Sequence, residues 1–206
     1  IILVCTGATW IMAPGKGNYA TAGGSTPLAS DTFDRANNAD LGTSWDVVTG
    51  ESSFQITSNT AEPSLFNSDC SESNNSVSWP NDQYSQAKVT VVGTTADAGD
   101  GVLVRAATGA RTFYRAVVNK AGSDNIEIAK FVAGTYTKLA NRTQAWTDTD
   151  VLRLEAIGTT LKVYRNGTQM GADISDSAIS SGRPGVNQSG PVTSGFLDDW
   201  EGGSIP

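Results

Sequence analysis

Apolar and polar residues alternate with a period of two through most of the chain, and this alternation limits the fold more than any other feature. In the segment DVLRLEAIG, Leu152 and Leu154 share one face while Arg153 lies on the other. This is the pattern of a half-buried antiparallel strand, whereas a helix would need apolar residues three or four apart. The alternation therefore predicts β-sheet.

Other short segments of this kind are separated by clusters of Gly, Asn, Asp and Ser. In TLKVYRNGTQM, the dipeptide Asn166-Gly167 suits a type I′ turn between two strands. The remaining strand candidates are SWDVVT, SFQITS, QAKVTVVG, GVLVRAA, TFYRAVVN, NIEIAKFV, TYTKLAN and SGFLDDW. About a dozen short strands without helical periodicity predict an all-β, two-sheet antiparallel jelly-roll sandwich. We expect four side chains to face its core: Leu152, Leu154, Leu161 and Val163.

The start of the chain differs from the rest in composition. Residues 14–30 are rich in Gly and Pro and predict a linker, which leaves 1–13 as an apolar strand arm, 31–203 as the jelly-roll domain and 204–206 as a tail. An isolated strand leaves its backbone groups unpaired, so the arm should pair with its own sheet edge or with a neighbouring subunit. A remnant of an export signal is the other interpretation. The apolar side chains of the arm are Ile2, Val4, Trp10 and Ile11.

Composition excludes several classes of function. A net charge of −7 with 14 Lys and Arg argues against nucleic acid as a partner. The chain has no histidine, which excludes imidazole-based catalysis. It also has no run of about 18 apolar residues, so the sequence predicts no membrane span. Cys5 and Cys70 lack metal-site spacing, and both a disulfide and two free thiols stay open.

Several motifs resemble one superfamily. DTFDRANNADLGTSWDVVTG is similar to the opening of concanavalin A-like (laminin-G-like) jelly-roll domains, which start with Asp-x-Phe-x-Arg-Ala followed by Leu-Gly and a Trp. DVLRLEAIGTTLKVYRNGTQM, SGRPGV and FLDDWEGG resemble the late hairpin, Gly-x-Pro-Gly turn and closing strand of the same superfamily. The resemblance covers residues 31 to 203. It implies a jelly-roll fold and a standalone surface module of bacteria or phages, in a superfamily that mixes lectins, glycosidases and structural modules.

An acidic cluster near the end of the chain surrounds Trp200. On a regular strand, Asp199 and Glu201 would point the same way, a geometry that glycoside hydrolysis can use. However, glycosidases of the laminarinase type carry Glu-x-Asp-x-x-Glu on one strand, and this triplet is absent. Catalysis by this pair is therefore the minor interpretation.

Two non-catalytic interpretations of the cluster involve the start of the domain. In a jelly roll the first and last strands commonly lie side by side, and calcium binds six to eight oxygens. Calcium is therefore a candidate structural ion, although no cofactor is required, and its candidate ligands are Asp31, Asp34, Asp198 and Asp199. Alternatively, Asp198 or Asp199 accepts hydrogen bonds from Arg35. In that case the core contains Trp200, Phe196, Phe33 and Trp45.

Glycan recognition requires an aromatic platform beside amide and carboxylate groups. The segment VSWPNDQYSQ supplies Trp79, Asn81, Asp82 and Tyr84, and NRTQAWTDTD places Trp146 in a similar polar setting. The alternative is that each Trp covers an end of the core.

Two further polar segments, SLFNSDCSESNNS and GTTADAGDG, predict solvated turns. Asp97 and Asp100 of the second segment are weaker candidates for calcium, because no position-specific ligand pattern is present.

These features favour a non-catalytic jelly-roll module at an extracellular or virion surface. Its expected roles are virion decoration, cell-surface structure or adhesion and glycan binding, with assembly on neighbouring subunits through the arm. The alternative is a polysaccharide-cleaving glycoside hydrolase or lyase of the same superfamily.

Overall fold

The computed structural model describes residues 3–5, 8–10, 24–65, 68–91, 99–119, 125–190 and 196–206. These residues contain strands, turns and bends but no α-helix, and two antiparallel sheets pack face to face. The predicted all-β sandwich is confirmed. None of the described segments has the helical length and hydropathy that a bilayer crossing demands.

Strands are numbered in chain order. The nine-stranded sheet contains β3 (Thr26–Asp31), β5 (Phe54–Thr57), β6 (Thr60–Pro63), β8 (Gln83–Val91), β13 (Asp150–Ile157), β14 (Thr160–Arg165), β15 (Thr168–Gln169), β16 (Ile174–Ser175) and β18 (Phe196–Ser204). The seven-stranded sheet contains β4 (Trp45–Val47), β7 (Cys70–Asn74), β9 (Gly99–Ala106), β10 (Phe113–Asn119), β11 (Asn125–Val132), β12 (Thr135–Thr143) and β17 (Arg183–Ser189). Two short strands, β1 (Leu3–Cys5) and β2 (Ala8–Trp10), pair only with each other among the described residues.

The order of strands brings the first and last strands of the domain together. The seven-stranded sheet runs β12-β11-β10-β9-β17-β7-β4, and the larger sheet runs β15-β14-β13-β8-β18-β6-β5 with β3 beside β18 and β16 beside β14. Asp31 of β3 lies opposite Trp200 of β18, and Thr26 lies opposite Ser204. Strand pairing therefore starts at Thr26, inside the predicted linker, and includes Ser204 of the predicted tail.

The core between the sheets contains the predicted side chains. Leu152, Leu154, Leu161 and Val163 are all buried in the main apolar cluster. The hairpin of β14 and β15 turns at Asn166, which has a φ of 47°, and at Gly167, which has a φ of 78°. Positive φ at both central residues is the requirement of a type I′ turn, so this prediction is confirmed.

Two segments predicted as turns are buried strands of the seven-stranded sheet. Residues 70–74, CSESN, form β7, and RPGVNQS forms β17 beside it. Several of their buried polar groups bond to one another or to the backbone, which offsets the cost of burying them, whereas Asn187 Oδ1 and Gln188 Oε1 have no hydrogen-bond partner among the described residues. Asn187 donates from Nδ2 to Ser71 Oγ at 2.7 Å, and Glu72 Oε1 accepts from Phe54 N at 2.7 Å. Asp100, also predicted in a turn, is buried in β9, while Asp97 lies outside the described residues.

Cys70 at the start of β7 is a buried free thiol. Its Sγ lies 3.7 Å from the carbonyl oxygen of Leu65, and burial raises its pKa to about 11. Of the two interpretations left open by the sequence, the structure shows the free thiol for Cys70.

The arm does not form the single extended strand predicted for residues 1–13. Val4 lies opposite Thr9, in an antiparallel hairpin of three residue pairs between β1 and β2. Ile2 and Ile11 lie outside the described residues. A two-stranded ribbon of this length is at best marginally stable alone in water.

Candidate functional site

Asp31 at the end of β3 organises the Asp-x-Phe-x-Arg motif. Its carboxylate accepts hydrogen bonds from Arg35 Nη1 at 2.6 Å, from the Phe33 backbone N at 2.9 Å and from Trp45 Nε1 at 2.9 Å. Arg35 also donates to the carbonyl of Leu41 at 2.7 Å. The prediction that Arg35 pairs with Asp198 or Asp199 is wrong, because Asp31 of its own motif binds it.

A β-bulge separates Asp199 from Glu201. In the backbone ladder of β18 with β8, Asp198 lies opposite Lys88 and Glu201 lies opposite Gln86. Between these two positions β18 therefore carries one residue more than β8. Asp199 has a φ of 45°, as one residue of a bulge often requires. The regular strand period does not hold across the bulge, yet Asp199 contacts Lys88 and Glu201 contacts Tyr84 and Gln86, which alternate along one face of β8. The two carboxylates therefore lie on the same face of the sheet, as the sequence predicted.

The carboxylates around this bulge bind protein groups. The side chain of Asp199 forms an ion pair with Lys88. Glu201 Oε1 accepts hydrogen bonds from Tyr84 Oη at 2.6 Å and from Gln86 Nε2 at 3.3 Å. Each carboxylate is therefore engaged by side chains of β8, whereas glycoside hydrolysis needs one carboxyl group to act as an acid and the other as a base or nucleophile.

The four candidate calcium ligands do not converge. Asp31 is bound by Arg35, and Asp199 is bound by Lys88. Burial raises the pKa of Asp198, and the nearby charges of Asp199 and Asp34 contribute to this increase. In the ranges that the structure describes, no group of three or more metal-ligating side chains is placed to hold an ion. The calcium prediction gains no support from this geometry.

Trp200 is the centre of an aromatic cluster in the core. Its ring centroid lies 4.7 Å from that of Trp45 and 6.2 Å from that of Trp79, and Trp45 lies 5.9 Å from Phe33. Trp200 Nε1 donates to Ser85 Oγ at 2.9 Å. The predicted packing of Phe33, Trp45 and Trp200 is confirmed.

Two of the three aromatic residues proposed as a sugar platform are buried, and the third is partly buried. Trp79 is half-buried against Trp200 and donates from Nε1 to Asn74 O at 2.7 Å. Tyr84 is fully buried, with the Arg153 guanidinium 3.6 Å from its ring centroid. Trp146 is also buried. A buried ring cannot stack on a sugar, so Tyr84 and Trp146 are corrected to core positions.

Asn81 and Asp82, by contrast, lie in a shallow depression that is open to solvent. The depression has a volume of about 580 Å³ and forms where the loop before β8, the β13–β14 turn and the end of the chain meet. Its lining consists of Pro80, Asn81, Asp82, Arg105, Gly158, Thr159, Ser180 and Ile205. Asp82 Oδ1 accepts from Gly158 N at 2.7 Å and lies 3.4 Å from Arg105 Nη2, while the Asp82 side chain is 42% exposed.

Arg105 forms the base of this depression and was missed from the sequence. Its guanidinium donates to Asn81 O, Gly158 O and Ile179 O at 2.8 to 2.9 Å, so it connects three loops. Burial lowers its pKa, although Asp82 nearby opposes the decrease. Arg105 has a φ of 56° beside a register shift of β9 against β17. This irregularity directs the Arg105 side chain towards the three loops. From the sequence alone, an Arg in an apolar strand predicts only a side chain that faces solvent.

A second polar cluster lies on the outer face of the seven-stranded sheet, away from the core. The ring of Phe131 is flanked by Arg111 at 4.1 Å and Arg115 at 5.2 Å from its centroid. Arg111 binds Glu51 and Asp69, and burial raises the pKa of Glu51. Sequence reasoning missed this cluster, because its members come from four separate segments.

Solved structures with this fold include several that are described as binding carbohydrate. The carbohydrate binding module CBM66 from Bacillus subtilis superposes with a TM-score of 0.64 at 21% identity, over 80% of this chain and 98% of that chain. The carbohydrate recognition domain of Emp47p superposes with a TM-score of 0.60 at 12% identity, over 86% and 95% of the two chains. The GH43 protein BlXynB from Bacillus licheniformis gives a TM-score of 0.55 at 11% identity, over 85% of this chain but 38% of that chain. No protein-family model matches this chain, and no curated protein sequence does.

At these identities the likeness shows the fold alone. The chain has the concanavalin A-like jelly-roll fold that carbohydrate-binding modules and lectins share. The resemblance inferred from the sequence motifs is confirmed for the fold.

Proposed function

We propose that this chain is a non-catalytic glycan-recognition module. The observation that carries the proposal is the depression of about 580 Å³ around Asn81 and Asp82. A volume in this range suits a small ligand. The polar side chains of Asn81, Asp82, Thr159 and Ser180 surround it, and amide, carboxylate and hydroxyl groups match the donors and acceptors of sugar hydroxyls.

The buried guanidinium of Arg105 supports this role by fixing the walls of the depression. It holds the carbonyl oxygens of Asn81 and Gly158, and Asp82 Oδ1 holds Gly158 N. Walls held in this way lose little conformational freedom when a ligand binds, which favours affinity.

Side-chain truncations inside the depression test the proposal. The double variant Asn81→Ala/Ser180→Ala keeps the backbone oxygen of Asn81 that binds Arg105, so the fold should be retained. Isothermal titration against a panel of neutral oligosaccharides should show binding by the native protein that this variant loses. Thr108→Ala, an exposed position in the β9–β10 turn, is the matched control. Binding that is equal in all three proteins would reject the depression as the site.

The competing function is a glycan-cleaving enzyme, suggested by the GH43 protein. That likeness covers only 38% of the GH43 chain, and Glu201 is held by Tyr84 and Gln86. We expect no release of reducing sugar from β-glucans or from algal and bacterial polysaccharides. Turnover that Glu201→Gln abolishes would establish the enzyme instead.

We further propose that the module is displayed at a cell or virion surface and assembles through its arm. The support is the hairpin of β1 and β2, whose three residue pairs are at best marginally stable without a packing partner. Docking on a neighbouring subunit would bury the apolar residues of the arm. Deleting residues 1–24 should leave a folded monomer, and size-exclusion chromatography measures the change. An oligomeric state that the deletion does not alter would refute assembly through the arm.

A further inference from the structure

The charges of the depression are matched, which favours a neutral ligand. The Arg105 guanidinium donates to three backbone carbonyl oxygens at 2.8 to 2.9 Å and lies beside Asp82 Oδ1. The side chain of Arg105 is only 2% exposed, so Asp82 is the member of the pair that a ligand meets first. An exposed carboxylate repels an acidic ligand and accepts hydrogen bonds from a neutral one.

The carboxylate of Asp82 keeps capacity to accept a further hydrogen bond. Its contacts with Gly158 N and Arg105 Nη2 are both made by Oδ1. An ionised carboxylate has about four acceptor positions over its two oxygens and no donor. The depression therefore requires a donor from its ligand at this point, while the side-chain amide of Asn81 supplies donors of its own.

The apolar part of the depression is aliphatic. Pro80 and Ile205 line it, and no aromatic side chain among the described residues does. The backbone holds both positions, because Ile205 N donates to Asp82 O at 3.1 Å and Gln83 Nε2 donates to Pro80 O at 2.6 Å. Without an aromatic platform the face of a sugar ring has no partner for stacking. The aliphatic pair suits a small apolar group such as a methyl.

We propose that the depression selects N-acetylated amino sugars. The N–H of the acetamido group donates to Asp82, and its carbonyl oxygen accepts from the side-chain amide of Asn81. Its methyl group packs against Pro80 and Ile205. A sugar with a hydroxyl in place of the acetamido group leaves the aliphatic pair in water. The inference rests on the proposed function and adds the chemical class of the ligand.

Titration by nuclear magnetic resonance tests the proposal with the full chain, because it measures weak binding. Chitotriose and cellotriose have the same backbone and differ in an acetamido or a hydroxyl group on each ring. N-acetylgalactosamine and galactose form a second pair of this kind. In at least one pair we expect the N-acetylated sugar to bind about tenfold more tightly. The acetyl methyl protons should receive the strongest saturation transfer from the protein.

Two variants test the contacts with the acetamido group. In Asp82→Asn, Oδ1 can still accept from Gly158 N, but Nδ2 only donates and leaves the acetamido N–H without an acceptor. The ratio of the dissociation constants of the hydroxyl and N-acetylated sugars should therefore fall about tenfold. Ile205→Ala should lower this ratio about threefold through the methyl contact. Val47→Ala, an exposed aliphatic position on the seven-stranded sheet, should leave it unchanged.

Three outcomes overturn the proposal: equal binding of both members of each pair, a preference that Asp82→Asn does not alter, or binding of N-methylacetamide as tight as that of chitotriose. The last would show an amide site that does not recognise sugar. The Asn81→Ala/Ser180→Ala variant separates this inference from the proposed function. If it abolishes glycan binding that shows no preference for acetamido groups, the proposed function stands and the inference fails. If binding survives in that variant, both fail, because the ligand lies elsewhere.

Discussion

Replacing Glu72 with glutamine should stabilise the protein at pH 8 and change little near pH 4. Glu72 lies in the middle of β7 and is 2% exposed, and its Oε1 accepts from Phe54 N at 2.7 Å. Glutamine keeps the shape and the acceptor but removes the charge. The variant therefore isolates the free energy of ionising a buried carboxyl group.

The magnitude follows from the pKa of Glu72. Burial raises this pKa from 4.5 to about 7, and the carboxylates of Asp40 and Asp46 contribute to the increase, whereas the hydrogen bond from Phe54 opposes it. The native state thus holds the proton more tightly than the unfolded state, and stability falls as the pH rises from 4.5 towards 7. This pKa difference contributes about 3 kcal/mol to the free energy of unfolding at low pH, and nearly all of that contribution is lost by pH 8.

Urea unfolding at pH 4, 6 and 8 measures the effect. The free energy of unfolding of Glu72→Gln minus that of the native protein should rise with pH to about 3 kcal/mol. Glu62→Gln, a half-buried carboxylate on β6 of the other sheet, controls for the loss of a carboxylate in general. A difference that stays constant from pH 4 to pH 8 would refute the reasoning.

Three further changes test the core and the ends of the domain. Leu154→Asp should abolish the cooperative thermal transition that near-ultraviolet circular dichroism measures, because an unpaired buried charge costs several kcal/mol, about the whole free energy of unfolding. A normal transition would contradict the assignment of Leu154 to the core. Asp31→Ala leaves Arg35 and Trp45 Nε1 without their acceptor and should cost about 3 kcal/mol in urea unfolding; a loss below about 1 kcal/mol would show that the contacts are dispensable. Excess EDTA should leave the melting temperature unchanged, since Arg35 binds Asp31, and a clear decrease would restore the calcium prediction.

The regular parts of the fold could be predicted from the sequence because each followed a local rule. The turn at Asn166-Gly167 needs positive φ, and the alternation around Leu154 needs one buried face; both rules act within a few residues. The motif at Asp31 was recognised by resemblance, but its arrangement was not predicted. Arg35 binds the carboxylate four residues before it rather than the one brought near by the last strand.

The parts that could not be predicted depend on contacts between distant segments. CSESN looks solvated by composition, yet β7 lies between β4 and β17, and its polar groups find partners on distant segments, Asn187 for Ser71 and Phe54 for Glu72. The bulge at Asp199 is invisible to a strand pattern, because a pattern cannot show that β18 carries an extra residue against β8. The depression at Asn81 likewise depends on Arg105, which is brought there by an irregularity in β9.

The pairing of β3 with β18 determines how the domain would respond to mechanical load. Thr26 lies opposite Ser204, so the two ends of the paired domain leave from the same edge of the sandwich. Tension between these ends acts along the hydrogen bonds, which lie perpendicular to the strands, and breaks them one after another rather than all at once. Peeling would begin at Thr26 and reach Asp31 last, where the contacts to Arg35 and Trp45 resist it. A module tethered at both ends would thus release its first strand at low force while the sandwich behind Asp31 stays closed.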